Sequence, residues 1–84
     1  MKYQIVIQWA SSEKTYNDLI RLEEKIIAEL KDGSDIDGHD FGSGQRNIFI
    51  HTNSPVESSE KIMKILGNDE MKNAKLAYIN INAS

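Results

Sequence analysis

The sequence predicts an α+β domain with the element order strand, helix, strand, strand, helix, strand. Two observations carry this prediction. Several segments alternate apolar and polar residues with period two, which is typical of half-buried strands. Two others repeat apolar residues every three or four positions, which is typical of amphipathic helices. With 84 residues the chain is long enough for one domain, and we assign it all of 1–84.

The first strand is predicted from Lys2 to Trp9. Its apolar side would carry Tyr3, Ile5, Ile7 and Trp9, and its other side Gln4, Val6 and Gln8. A helix follows and runs to Leu30, with one broad apolar stripe made by Tyr16, Leu19, Ile20, Leu22, Ile26, Ile27 and Leu30. Its N-cap is Ser11 or Ser12, or alternatively Thr15 in a capping box with Asp18. Asp32-Gly33 should end it.

Residues 32–44, DGSDIDGHDFGSG, contain four Asp, four Gly and one His, with no Lys or Arg. We expect a second strand over Ser34 to His39 and a turn through Gly42-Ser43-Gly44. The third strand is predicted over Arg46 to Thr52, with Ile48 and Ile50 on one face and Asn47, Phe49 and His51 on the other.

The second helix is predicted from Pro55 to about Leu66, stopping at Gly67. Ser54 would cap it, with proline at the first helical position and Glu57 three residues after the cap. Its inner stripe would be Val56, Ser59, Ile62, Met63 and Leu66. The last strand is predicted over Ala74 to Asn82, with Ala77, Ile79 and Ile81 facing inward and Leu76, Tyr78 and Asn80 facing outward.

This order of elements predicts a ferredoxin-like sandwich: a four-stranded antiparallel sheet, strand order 4-1-3-2, with both helices on one face. The other face would be open to solvent. The predicted partner-binding residues on that face are Val6, Phe49, His51, Leu76 and Tyr78. Folding gives no reason for apolar side chains to gather there, so the pattern favours an interface.

The acidic segment offers a second kind of site. Asp37, His39 and Asp40 carry oxygen and nitrogen donors that could hold a divalent cation, or an acid and base for catalysis. A calcium-loop reading fails because Gly33 and Gly44 would occupy positions that require carboxylates. Turn formation and protection of an edge strand also explain these residues.

Glu23 lies in the middle of the first helix's apolar stripe. A buried carboxylate needs a partner, a proton or a route to solvent. The candidate partners are Arg46, His39 and Tyr3, and a buried acid of this kind would also suit an active site.

Composition narrows the function classes. The absence of cysteine excludes disulfides, cysteine-based zinc sites and iron–sulfur clusters, and we predict no cofactor. A net charge of −3 argues against nucleic-acid binding, and the third strand lacks the RNA-binding signature. No apolar run is long enough to span a membrane, and MKYQIVIQW has no cleavage site, so we expect a cytoplasmic protein.

The segment DIDGHDFGSGQRNIFIHTNSP resembles small uncharacterised bacterial ferredoxin-like proteins with a GHD-x-GSG stretch, an NIFI-type strand and a proline-started helix. This resemblance covers about a quarter of the chain and implies a bacterial origin but no particular activity.

We therefore expect a non-enzymatic module that uses the open sheet face to form a homodimer or to bind another protein, in a regulatory or toxin-neutralising role. The alternative is a small metal-dependent or acid–base enzyme centred on Asp37, His39 and Asp40.

Overall fold

The computed structural model describes residues 3–10, 15–30, 34–40 and 44–80, except for the side chain of Glu70. It contains the six elements that the periodicity predicts, in the predicted order. They are β1 (Tyr3–Ala10), α1 (Tyr16–Glu29), β2 (Asp35–Asp40), β3 (Gln45–Thr52), α2 (Pro55–Met71) and β4 (Lys75–Asn80).

The four strands form one antiparallel sheet in the order β2-β3-β1-β4. Side chains from β1, β3 and both helices pack into a single hydrophobic core, so the two helices cover the same face of the sheet. The core residues are Ile5, Ile7, Trp9, Leu19, Leu22, Ile26, Leu30, Ile48, Ile50, Ile62 and Leu66. The predicted ferredoxin-like fold is confirmed.

The start of α1 follows the capping-box alternative. Thr15 is the N-cap: its side-chain oxygen accepts a hydrogen bond from the backbone N–H of Asp18, whose carboxylate accepts one from the backbone N–H of Thr15. These two bonds satisfy donors that a helix start leaves unpaired. The other predicted caps, Ser11 and Ser12, and the stop at Asp32-Gly33 lie outside the described residues.

The stop predicted at Gly67 takes the form of a break within α2. Gly67 has φ 68° and ψ −176°, a conformation open essentially to glycine alone, and a last helical turn follows it to Met71. At the other end Pro55 occupies the first turn as predicted, but the side chain of Ser54 makes no capping hydrogen bond.

Both helices bury a narrower stripe than their apolar periodicity predicts. Tyr16 and Ile27 of α1, and Val56 and Met63 of α2, are exposed at the flanks of their helices. Ser58, not Ser59, is the buried serine of α2, because its hydroxyl bonds to the buried Thr52 of β3 at 2.7 Å. The serine at the inner face of α2 is thus one residue earlier than the periodicity predicts, and its hydroxyl is paired with that of β3.

The inside and outside of β4 are the reverse of those predicted. In the register between β1 and β4, Ile7 lies opposite Leu76 and Ile5 opposite Tyr78. Leu76 packs against the core, and the ring of Tyr78 lies edge-on to that of Tyr3 with centroids 5.9 Å apart. Apolar residues occupy both faces of this strand, so alternation alone does not orient it; the pairing with β1 does.

Candidate functional site

The face of the sheet opposite the helices, which we call the open face, is formed by residues from all four strands. The register assigns it these residues: Lys75, Ala77 and Ile79 from β4; Gln4, Val6 and Gln8 from β1; Gln45, Asn47, Phe49 and His51 from β3; and Asp35, Gly38 and Asp40 from β2. Val6, Phe49 and His51 are where the sequence predicts them. Leu76 and Tyr78 are not, and Ala77 and Ile79 take their places.

An apolar row crosses the middle of the open face. Phe49 lies opposite Val6 in the β1–β3 register, and Val6 lies opposite Ala77 in the β1–β4 register. Ile79, two residues further along β4, is 56% exposed. Cross-strand neighbours in antiparallel sheets touch, so the row forms one continuous patch of hydrocarbon.

A polar cluster occupies one end of the open face. His51 lies between two carboxylates: Asp37 Oδ2 is 3.3 Å from its Nε2 and Asp35 Oδ1 is 4.0 Å from its Nδ1. The amide of Gln4 donates to the same oxygen of Asp37 at 3.2 Å. The two carboxylates lie near different nitrogens of the imidazole ring, so the three side chains do not converge on a single point that a metal ion could occupy.

The opposite end of the open face is rich in carboxamides. Gln8 donates from its side-chain nitrogen to Gln45 Oε1 at 2.9 Å. The neighbouring Asn47 is buried, and among the described residues its Oδ1 has no hydrogen-bond partner. Lys75 ends the row as an exposed cation. A shallow cleft of about 270 Å³ runs from here to the sheet's edge, lined by Gln8, Trp9, Ala10, Gly44, Gln45, Asn73 and Lys75.

The predicted metal or acid–base trio is not brought together. Asp37 points to the open face, where it contacts Gln4 and His51, whereas His39 lies opposite Ile48 and reaches the helix side. Asp40 lies opposite Asn47 on the open face, at the other end from Asp37. A register irregularity between Ile36 and Gly38 adds one residue to the strand and so puts His39 on the opposite face from Asp37. Asp40 is adjacent to His39 and would face away from it in any regular strand.

Glu23 has one of its predicted partners. It is buried, and its Oε2 lies 2.9 Å from Nδ1 of His39, on the helix side of β2. The side chain of His39 is 34% exposed and that of Glu23 11%. Tyr16 lies edge-on to the imidazole, with ring centroids 6.1 Å apart. A carboxylate that fixes an imidazole is chemically able to support proton transfer, but it also gives a buried acid the partner it needs.

Over residues 3–10, 15–30, 34–40 and 44–80, no three His, Asp or Glu side chains are arranged to hold a metal ion. Neither described helix combines the length and apolarity that a bilayer crossing requires.

Comparisons with protein-family models, with curated proteins and with solved structures find no significant match for this chain.

On β3 and β4, sequence reasoning missed four residues of that face: Gln45, Lys75, Ala77 and Ile79. The signal for Lys75 and Ile79 is their two-residue spacing with Ala77, which places all three on one side of β4. Gln45 lies two residues before Asn47 and shares its side of β3 in the same way.

Proposed function

We propose that this chain is a non-catalytic binding module whose open face docks on another folded protein. The observation that carries the proposal is the apolar row of Phe49, Val6 and Ala77, continued by Ile79, on a face that no described helix covers. A contiguous apolar patch with a polar rim is characteristic of protein interfaces, which combine a hydrophobic centre with hydrogen-bonding groups around it.

The exposed apolar residues of the two helices are widely spaced along each helix. Tyr16 and Ile27 are eleven residues apart on α1, about three helical turns. Val56 and Met63 are two turns apart on α2, with charged residues between them. Single apolar side chains of this kind are normal on protein surfaces and imply no partner.

The polar groups of the open face also favour an occupant. Gln4, Gln8 and Gln45 supply donors and acceptors around the apolar row.

A small chain that acts by covering another protein's surface suits a regulatory or toxin-neutralising role. The proposal places it in the bacterial cytoplasm. The absence of cysteine is compatible with a reducing compartment, and the GHD-x-GSG stretch resembles bacterial sequences.

Site-specific photocrosslinking in the source cells tests the docking face. A photoreactive amino acid at Ile79 should give a discrete protein adduct, and Phe49→Asp in the same chain should abolish it because a charge would replace the centre of the apolar row. The same photoreactive group at Met63, which is 52% exposed on α2, is the matched control for the 56% exposed Ile79. Equal labelling from both positions, or no adduct from Ile79, would contradict the proposal. Circular dichroism should show that Phe49→Asp remains folded.

A further inference from the structure

We infer that the protein docked on the open face is a second copy of this chain, related by a two-fold axis that runs parallel to the strands. This inference rests on the proposed function, since it names the partner of the same surface. Its support is the match between residues that this axis brings together.

The open face is organised in three rows across the four strands, from β2 through β3 and β1 to β4. The top row is Asp40, Asn47, Gln8, Lys75; the middle row is Gly38, Phe49, Val6, Ala77; the bottom row is Asp35, His51, Gln4, Ile79. An acidic strand, β2, therefore lies at one edge of the face, and the only charged residue of β4 on this face, Lys75, lies at the other.

A two-fold axis that runs parallel to the strands, between the two copies, places each row of one copy against the same row of the other copy. The order of the strands is reversed in the second copy, so β2 faces β4 and β3 faces β1. In the top row, Asp40 meets Lys75 of the second copy, and Lys75 meets its Asp40. In the middle row, Phe49 meets Val6 of the second copy. The charges of the top row thus face opposite charges and the apolar centre faces an apolar centre, which favours an isologous interface. In the bottom row, Asp35 meets Ile79 of the second copy.

The same axis brings Gln8 of the second copy over Asn47, so carboxamides lie opposite carboxamides at this end of the face. The Gln8 nitrogen carries two hydrogens, and its bond to Gln45 uses one of them.

A two-fold axis perpendicular to the strands gives a poorer match. It lays the top row on the bottom row, so that Asp40 faces Asp35 of the second copy at two symmetric places and Lys75 faces Ile79. Like charges held opposite each other disfavour association. The charges of the face therefore select the parallel axis.

The size of the face sets the strength of the dimer. Four strands at about 4.8 Å spacing and about six residues of length give a flat face of roughly 20 by 20 Å. That is smaller than the roughly 800 Å² per partner of a standard interface. Stacked sheets lie about 10 Å apart, a gap that a carboxylate and an extended lysine side chain close together from the two sides. We therefore expect a weak dimer that dissociates readily on dilution, as transient interfaces of small area do.

Exchanging the charges of Asp40 and Lys75 in the top row tests two claims: that the partner is a second copy of this chain, and that the two-fold axis runs parallel to the strands. Sedimentation over a concentration series should show a wild-type dimer, and Lys75→Asp or Asp40→Lys alone should weaken self-association by roughly tenfold or more. Mixing the two single variants should restore association as a heterodimer, because both contacts become complementary. The chain that carries both substitutions should again form a homodimer. Lys64→Asp, with the same charge change on α2, is the control and should leave the dimer intact.

The outcomes separate this inference from the proposed function. If the wild-type chain stays monomeric at every concentration, the inference that the partner is a second copy is wrong. An Ile79 photoadduct with the mass of a different protein would still support the proposed docking function. A wild-type dimer that ignores both charge substitutions overturns the parallel axis and indicates pairing through a sheet edge. Failure of the mixture to associate, when each single variant is folded and monomeric, also overturns it.

Discussion

The Nδ1 atom of His39 lies 2.9 Å from Oε2 of Glu23, and this contact joins the edge strand β2 to α1. Glu23 comes from a helix face that is otherwise apolar, and His39 comes from a strand with few buried side chains. The pair therefore replaces hydrophobic packing at the point where β2 meets the helix layer.

Removal of His39 should destabilise the fold through Glu23. In His39→Ala the buried carboxylate loses its partner, and we expect the free energy of unfolding to fall by about 1–3 kcal/mol. Urea denaturation followed by the fluorescence of the single tryptophan, Trp9, measures this loss. Glu23→Gln in the same background should recover part of it, because an amide is cheaper to bury than a charge.

The control for this pair is an ion pair at the surface. Arg21 and Asp18 approach to 3.1 Å, but their side chains are 70% and 41% exposed. Arg21→Ala should change the free energy of unfolding by no more than about 0.5 kcal/mol. A His39→Ala effect equally small would show that Glu23 reaches water or another group without its histidine.

Two adjacent serines of α2 should respond in opposite directions to the same substitution. Ser58 Oγ lies in a buried hydroxyl chain, 2.7 Å from Thr52 Oγ1, which also accepts from Ser34 Oγ at 2.9 Å. Ser59 Oγ has no hydrogen-bond partner among the described residues. Ser58→Ala should lower the free energy of unfolding by about 1 kcal/mol. Ser59→Ala should raise it slightly, since alanine is the better helix former.

The comparison is internally matched because both variants gain the same helix propensity and lose the same hydroxyl. Thermal unfolding of the two variants under one set of conditions is sufficient. Equal midpoints would mean that the hydroxyl chain between β2, β3 and α2 contributes nothing to stability.

The backbone conformation at Gly67 can be tested by placing either L-alanine or D-alanine at this position. With φ 68° and ψ −176°, an L-residue is strained here, although a Cβ would meet nothing within 4 Å. Gly67→Ala should therefore cost about 1–3 kcal/mol through the backbone alone. D-alanine, introduced by chemical synthesis, suits these angles and should stabilise the fold by about 0.4–1 kcal/mol, because it restricts the unfolded chain. If both alanines were destabilising, space rather than backbone conformation would be limiting.

The orientation of β4 predicts a contrast between two of its apolar residues. Leu76 packs against the core and should cost about 1–3 kcal/mol of folding free energy when changed to alanine. Ile79 is 56% exposed on the open face, and Ile79→Ala should change folding stability by no more than about 0.5 kcal/mol. The reverse ranking in urea denaturation would indicate that the strand is paired one residue out of register.

The sequence was most informative where one face of an element is apolar and the other polar. In β1 the alternation of Ile5 and Ile7 with glutamines orients the strand correctly, and the order of the six elements then leaves one common topology. In β4 both faces carry apolar side chains, so the periodicity predicts a strand but not its orientation. The pairing with β1, a long-range contact, decides it.

The acidic segment departs from its predicted geometry for a different reason. Strict alternation would put Asp37 and His39 on one face, but the extra residue in β2 separates them. Asp40 is adjacent to His39 and lies on the opposite face from it in either case. The partner of Glu23 was easier to anticipate, because a carboxylate in an apolar helix stripe requires a nearby donor and few are available.

The irregularity beside Gly38 gives β2 two different halves. Before it, Asp35 shares the open face with His51; after it, His39 turns to α1. Loss of one residue at this point would remove the bulge and keep both halves of the strand in their present pairing, with His39 still facing α1. A related chain that is one residue shorter here should therefore keep the contact with Glu23.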